Sequence, residues 1–296
     1  MIVVVGGTGR LGTLLVRRLV ARGAAVRVIT RDAARASHLP SNVEIVIGDL
    51  RDGASLRAAM RGVQTVVAAA HGFGDSNDGS PESVDRQGNI NLIDAATREG
   101  AAVVLMSVVG AAREHPMELF RAKYAAEEHL RQRSGTWTIV RATAFVETWA
   151  TIMGEPLRAT GRALVFGPGT NPINFVSADD VAALLELAVV IPALRGETLS
   201  IGGENLTFAQ LADLLGRTLG RPSNARHIPL PVLRAMGVLL RPIKPALARH
   251  ARAAVVMNRH DLSFDDAPLR RRFPELTTTA LATAVGRCLQ PARSGS

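Results

Sequence analysis

The 296-residue sequence predicts an α/β protein built on a doubly wound parallel sheet, with a smaller C-terminal part. Three observations predict it. The chain opens on a short, uncharged, Val-rich run, Met1 to Val5, closed by glycines, the pattern of a strand buried on both faces. From Leu11 to Arg22 the residues Leu11, Leu14, Leu15 and Leu19 recur at helical spacing, and Gly23 stands where a helix C-terminus favours glycine. Strand and helix patterns then alternate for about 140 residues, as a parallel sheet with crossover helices requires.

In order, strands are predicted at 25–30, 43–47, 65–70, 102–107 and 137–141, and helices at 55–60, 83–99 and 118–133. Right-handed crossovers turn such a series into a doubly wound sheet. After Arg141 glycines and prolines loosen the rhythm. Helices at 179–193 and 207–219, the second capped by Thr207, and a strand at 198–201 follow. Pro222 to Pro245, with five prolines, is expected to form a wrapping arm. The expected division is 1–150 for the first domain and 151–296 for the second part, with 174–202 returning to the first sheet.

Composition narrows the function classes. With 47% hydrophobic residues the chain can build a large core, and disorder is excluded. Cys288 is the only cysteine, so no intrachain disulfide, thiolate zinc cluster or CxxC pair is available. The histidines show no HxH or HxxxH spacing, and no metal is expected. No uncharged apolar run is long enough to cross a bilayer or to serve as a signal core, so a cytoplasmic chain without a membrane partner is expected. The formal charge is +9, but the arginines look scattered, with the densest cluster at Arg270–Arg272, and only 4% of residues are aromatic. That leaves few stacking platforms, and no nucleic-acid partner is expected. A monomer or homodimer is the expected assembly.

Gly6, Gly9 and Gly12 fall at intervals of three within GGTGRLG, between the first strand and the first helix. Glycine lets the backbone turn sharply and lets a pyrophosphate come closer than a Cβ would permit, while the helix start offers free N–H groups and the positive end of its dipole. Strand, loop and helix in this order make a Rossmann dinucleotide site. The end of the second strand lies beside the adenosine ribose, where a carboxylate suits NAD and an arginine suits the 2′-phosphate of NADP. Arg31 stands there and Arg10 lies inside the loop, favouring NADP, with NAD less favoured; Asp32 is the residue that argues for NAD.

Further motifs carry a family resemblance. GGTGRLG with Arg31, Gly48-Asp49-Leu50, Val84-Asp85, Gly88 to Ala96, Lys123 to Glu127, Trp137 to Arg141, Asn174 to Val176 and Asp179 to Ala182 together resemble the atypical short-chain dehydrogenase/reductases, specifically the NmrA-like group, over roughly residues 1–220. The resemblance implies that Gly6, Thr8, Gly9, Arg10 and Leu11 line the pyrophosphate and adenosine phosphate, Asp49 and Leu50 the adenine, and Ala69, Ala70 and His71 the nicotinamide ribose. Periodicity independently places Asp49 and His71 at C-terminal ends of strands, the ligand-binding edge of an open sheet.

Reductases of this superfamily use a serine, a tyrosine and a lysine four residues after the tyrosine to polarise and protonate a carbonyl. Here Ser107 ends the fifth strand and Lys123 lies on the next helix, but Leu119 occupies the tyrosine position. Tyr124, adjacent to Lys123, points about 100° away around the helix. Three readings stay open: Lys123 is itself the proton donor or orienter, as in isoflavone-reductase-like relatives; reduction needs no protein acid; or NADP is sensed rather than consumed. The plain alternatives are a surface Lys123 paired with Glu127, a strand-end Ser107 bonded to backbone, a loop histidine at His71 and helix-capping acids at Asp179 and Asp180.

The substrate pocket is expected to include Gly72, Phe73, Val109, Phe145 and Phe175, a set suited to a small apolar or aromatic substrate. The favoured function is an NADPH-dependent oxidoreductase of a carbonyl, enone or quinone, with Lys123 and Ser107 as catalytic candidates. The alternatives are an NADP-sensing regulatory protein and a non-redox lyase, cyclase or isomerase.

Overall fold

The computed structural model describes residues 1–72 and 79–289. Its first unit runs through β1 (Ile2–Val5), α1 (Arg10–Ala21), β2 (Val26–Thr30), β3 (Glu44–Ile47), α2 (Gly53–Ala59), β4 (Thr65–Ala68), α3 (Asn89–Arg98), β5 (Ala102–Val108), α4 (Glu118–Arg133) and β6 (Trp137–Ala142). The chain then forms β7 (Ala144–Phe145), α5 (Val146–Thr160), β8 (Leu164–Phe166) and β9 (Ile173–Val176), and returns through α6 (Ala178–Val190) and β10 (Thr198–Ile201). It ends in β11 (Glu204–Leu206), α7 (Phe208–Thr218), β12 (Arg226–Ile228), α8 (Leu230–Leu239), α9 (Pro245–Met257), α10 (Ala267–Arg272) and α11 (Leu281–Leu289).

The first unit comprises Met1–Ala142 and Val181–Ile201. Its seven strands lie in the order β10-β6-β5-β4-β1-β2-β3, every neighbouring pair parallel. Central positions such as Val3, Val4, Val66, Val67, Val103 and Leu105 have almost no solvent exposure, because helices cover both faces. The chain winds outward from β1 to β3 and then crosses back to β4, so the strand order reverses between β1 and β4. Their register pairs Val5 with Ala68, so the loop after β1 and the segment after β4 leave the sheet side by side. Open α/β sheets bind ligands at such a switch point.

The second unit holds Thr143–Asp180 and the described residues of Gly202–Ser296. It contains a three-stranded sheet, β11-β9-β7, and a parallel pair, β12-β8. Trp149, Phe166, Phe175 and Phe208 meet in one aromatic cluster at its core. Buried Asn174 ties the unit together, donating to the carbonyls of Gly203 and Phe264 and accepting from Thr143 and the Gly203 N–H.

The first unit ends at Ala142 rather than at 150, because Ala144 and Phe145 pair with β9. The first unit resumes at Val181 rather than at 174, since β9 itself belongs to the second unit, and the sheet is rejoined at β10. The expected arm at 222–245 is instead β12 followed by α8 and the start of α9. Its prolines do not break these elements: Pro229 precedes α8, Pro231 lies in its first turn and Pro245 begins α9, positions that need no backbone N–H.

Candidate functional site

The glycines of the first loop do different work. Gly6 has φ +85°, in the left-handed region, and a Cβ there would stand 2.7 Å from the Ala70 nitrogen. A Cβ on Gly12 would stand 2.1 Å from the Gly6 carbonyl oxygen, so α1 packs against the loop only with glycine at this position. Gly9 differs from both. Its φ of −83° suits any residue, and a Cβ would meet nothing nearer than the Gly6 oxygen at 3.4 Å. Neither conformation nor packing requires glycine at Gly9, and the space beside it at the start of α1 stays open. No side chain caps that helix start and no acid lies in its first turn, which leaves its N–H groups to an anion.

Arg10 and Arg31 are both exposed, Arg31 directly after β2. The Asp32 carboxylate accepts the Ala34 N–H at 2.9 Å and so caps its own short helical turn. Asp49 is gripped by the Arg51 fork, which holds its carboxyl below the usual carboxylate range, with a smaller contribution from the charge of Arg31. Leu50 is buried, and its carbonyl accepts from the Asn91 side chain. Thr8 and Leu11 are half-buried in the loop and first turn. Ala69 is buried and accompanies half-buried Ala70 beside Gly6.

Beyond β4 lies a charged group that the sequence reading only half identified. Lys123 is 3% exposed, and its Nζ lies 2.9 Å from Oδ1 of fully buried Asp85. The other carboxylate oxygen of Asp85 accepts the Gly72 N–H at 2.7 Å. Asp85 sits in a π-helical stretch, Pro81–Gly88, that runs directly into α3 and is capped at its start by Ser80 and Ser83. Widened turns of this kind recur at functional sites. Gly72 is held closely to this stretch, since a Cβ on it would stand 2.3 Å from the Ser80 carbonyl oxygen.

His71 joins the pair. It keeps contact with solvent but is crowded by protein, and that desolvation holds its imidazole below the ordinary histidine value of 6.5. The Asp85 charge opposes the shift and the Lys123 charge adds to it. Lys123 is therefore no surface lysine paired along α4 with Glu127. The Glu127 carboxylate, fully buried, is bound by the Ser107 hydroxyl at 2.5 Å, by the Arg141 fork and by Arg131. Ser107 is itself fully buried, its hydroxyl donated to Glu127.

Val109 is half-buried after β5. In the second unit Phe145 is half-buried, whereas Phe175 is completely enclosed in the aromatic core and meets no solvent. Phe73 lies outside the described residues. Asp180 is buried and bound by Arg270 and by the backbone and hydroxyl of Thr279, which ties the C-terminal segment to the start of α6. Glu147 accepts the Ala178 N–H at the same helix start. No cluster of His, Cys, Asp or Glu among the described residues could hold a metal ion.

Sequence reasoning meets Asp85 only within a resemblance motif and gives it no role. Its signal is a stripe: Asp85, Asn89, Leu92 and Ala96 recur at helical spacing, and all four are buried. A carboxylate on a buried helix face requires a buried partner.

Comparison with known proteins shows the family and the fold. The sequence profile of the NmrA-like family matches residues 1–262. Sterol demethylase protein B of Methylococcus capsulatus is 31% identical over 270 residues, covering 81% of each chain. The NAD(P)H azoreductase of Xenophilus azovorans is 29% identical over 225 residues, 75% of each chain. The crystal structure of Citrobacter sp. triphenylmethane reductase complexed with NADP(H) superimposes on 98% of this chain and 100% of that one, with TM-score 0.80 at 20% identity, a likeness of fold.

Proposed function

Because the chain belongs to the NmrA-like family, NAD(P)-binding proteins of atypical short-chain dehydrogenase/reductase type, we propose that it is a cytoplasmic NADPH-dependent reductase of a small apolar carbonyl, enone or quinone. The observation that supports this reading is that the open phosphate loop packs at the strand switch point on Ala69 and Ala70, directly before His71 and the Gly72 that Asp85, paired with Lys123, holds.

Gly6, Thr8, Gly9, Arg10, Leu11 and Gly12 would hold the pyrophosphate, the open space at Gly9 fitting a ligand that approaches the backbone closely. Arg31 with Arg10 would take the 2′-phosphate, which supports NADP over NAD, and Asp32 is turned to its own backbone rather than outward to a ribose. Asp49 and Leu50 would border the adenine, and Ala69, Ala70, His71 and Lys123 the nicotinamide ribose. Bound there, the cofactor supplies hydride, and a reduced carbonyl or quinone oxygen then needs one proton from elsewhere.

Lys123 and His71 are the side chains placed for that oxygen. The lowered pKa of His71 favours the neutral ring at pH 7, which can offer a hydrogen bond to a developing oxygen anion but cannot supply the proton without becoming an imidazolate. Lys123, fixed by Asp85, offers an ammonium in the place where the usual tyrosine is absent. Ser107 belongs in this reading to the fold, since its hydroxyl is committed to Glu127. The substrate class rests on half-buried Val109 beside the sheet edge and on the relatives' names, which carry a sterol, an azo compound and a triphenylmethane.

Calorimetric titration with NADPH and NADH tests the cofactor. NADPH is expected to bind more tightly, and Arg31→Ala to weaken NADPH by at least about tenfold while leaving NADH nearly unchanged; tighter NADH binding by the unaltered protein would overturn it. The loss of reduced-nicotinamide absorbance across a panel of quinones, enones and aromatic ketones tests the reaction. Tight NADPH binding with no turnover on any of them sinks the reductase reading.

A further inference from the structure

The helical hairpin of α8 and α9 carries an exposed apolar surface. Val238, Leu239 and Ile243 are 70%, 69% and 72% exposed at its tip, with Val232 and Leu247 also exposed. The two helices pack closely at Gly237, where a Cβ would stand 2.7 Å from Arg252 Cγ. Leu233 and Gly237, four residues apart, face the protein, while Val232, Ala235 and Leu239 lie on the solvent side. Arg234, Arg241 and Lys244 are exposed among these apolar residues.

Charge points to what this surface meets. From residue 214 to residue 260 there are nine Lys and Arg and no Asp or Glu. The chain holds 35 basic and 26 acidic residues, so the remaining 26 basic residues balance the acids and this one stretch carries the whole formal excess of +9. A second copy of the same face would bring like charges together. The stretch from 209 to 263 has no Phe, Trp or Tyr on which bases could stack, which disfavours nucleic acid. Exposed aliphatic residues interspersed with exposed Arg234, Arg241 and Lys244, in a stretch of chain without acids, match an anionic bilayer surface, which takes the apolar side chains at the acyl boundary and the cations among its headgroups. No helix among the described residues is long and apolar enough to cross a membrane, so the contact is peripheral.

We propose that the α8–α9 hairpin docks the protein onto anionic lipid bilayers through Val238, Leu239 and Ile243, with Arg241 and Lys244 at the headgroups. This surface lies wholly in the second unit and does not depend on the reductase reading.

The test is co-sedimentation of the full chain with vesicles of phosphatidylcholine mixed with phosphatidylglycerol, against vesicles of phosphatidylcholine alone. Binding is expected to the mixed vesicles only and to weaken as salt shortens the reach of the charges. Arg241→Gln with Lys244→Gln should lower it by about tenfold or more. Val238→Ser, Leu239→Ser and Ile243→Ser together should lower it comparably, with circular dichroism and melting temperature unchanged because these positions are exposed. Equal binding to both vesicle types, or binding untouched by both sets of substitutions, overturns the proposal. So does a concentration-dependent dimer, or a nucleic-acid complex, that the same substitutions abolish while vesicle binding persists.

Discussion

Lys123 and Asp85 form an ion pair at 2.9 Å whose two side chains are almost closed to solvent, one on α4 and the other on the π-helical stretch before α3. Removing two charges from water is costly, and attraction between them offsets that cost only while both are present. Lys123→Met alone and Asp85→Leu alone are therefore each expected to lower stability by about 3–5 kcal/mol. The double substitution should cost clearly less than the sum. Urea unfolding of the three variants measures this, and strict additivity would show that the two charges are not coupled.

The glycines of the phosphate loop allow a sharper separation of fold from ligand. Gly12→Ala forces a Cβ to 2.1 Å from the Gly6 oxygen and 2.6 Å from the Gly7 Cα, and about 2 kcal/mol or more of stability should be lost. Gly9→Ala meets no such contact and should cost less than about 1 kcal/mol. Its effect should appear instead as NADPH binding weakened by at least about tenfold. Equal destabilisation by both substitutions would show that Gly9 serves packing rather than a ligand.

Those two sets of residues also show why some features were legible in the sequence and others were not. The glycine loop is local: seven consecutive residues after a buried strand carry it. The sheet was legible for a similar reason, because strands covered on both faces read as apolar runs between turn residues. Asp85 and Lys123 are 38 positions apart and meet only through packing of the π-helical stretch on α4, so neither announces the other. Leu119 was visible as a missing tyrosine, but Ser107 looked like its catalytic companion only until the distant Glu127 was brought against it. The prolines of 222–245 misled for a different reason: proline signals a loop in the interior of an element but is well suited to a helix start.

His71 sets a pH dependence. Its folded-state pKa lies below the unfolded value near 6.5, because the protein around it disfavours the charged ring. As pH falls below about 6.5 the unfolded chain takes up a proton that the folded chain refuses, so the stability contributed by neutral His71 is present above that pH and lost below it. Because His71 is exposed, solvent screens the effect and the loss stays well below the full linkage slope. Unfolding free energies from about pH 7.5 to about pH 5.5 should fall more steeply for the unaltered protein than for His71→Gln. Parallel curves would show that His71 has no such shift.

Ser107 separates structure from catalysis most directly. Its hydroxyl donates at 2.5 Å to Oε1 of Glu127, which also accepts from Arg141 Nε at 2.9 Å, while Oε2 accepts from Arg141 at 2.5 Å and from Arg131 at 3.1 Å. Glu127 is fully buried, so each donor compensates for lost water, and the Glu127 bonds in turn hold Arg141 in its charged form. Removing the hydroxyl leaves one acceptor position underused in a place that water cannot readily reach. Ser107→Ala should therefore lower stability by about 1–3 kcal/mol. If the serine serves only this network, kcat for NADPH oxidation should stay within about twofold and the melting temperature alone should move. A fall in kcat of a hundredfold or so with an unchanged melting temperature would reverse the assignment and place the hydroxyl in the chemistry.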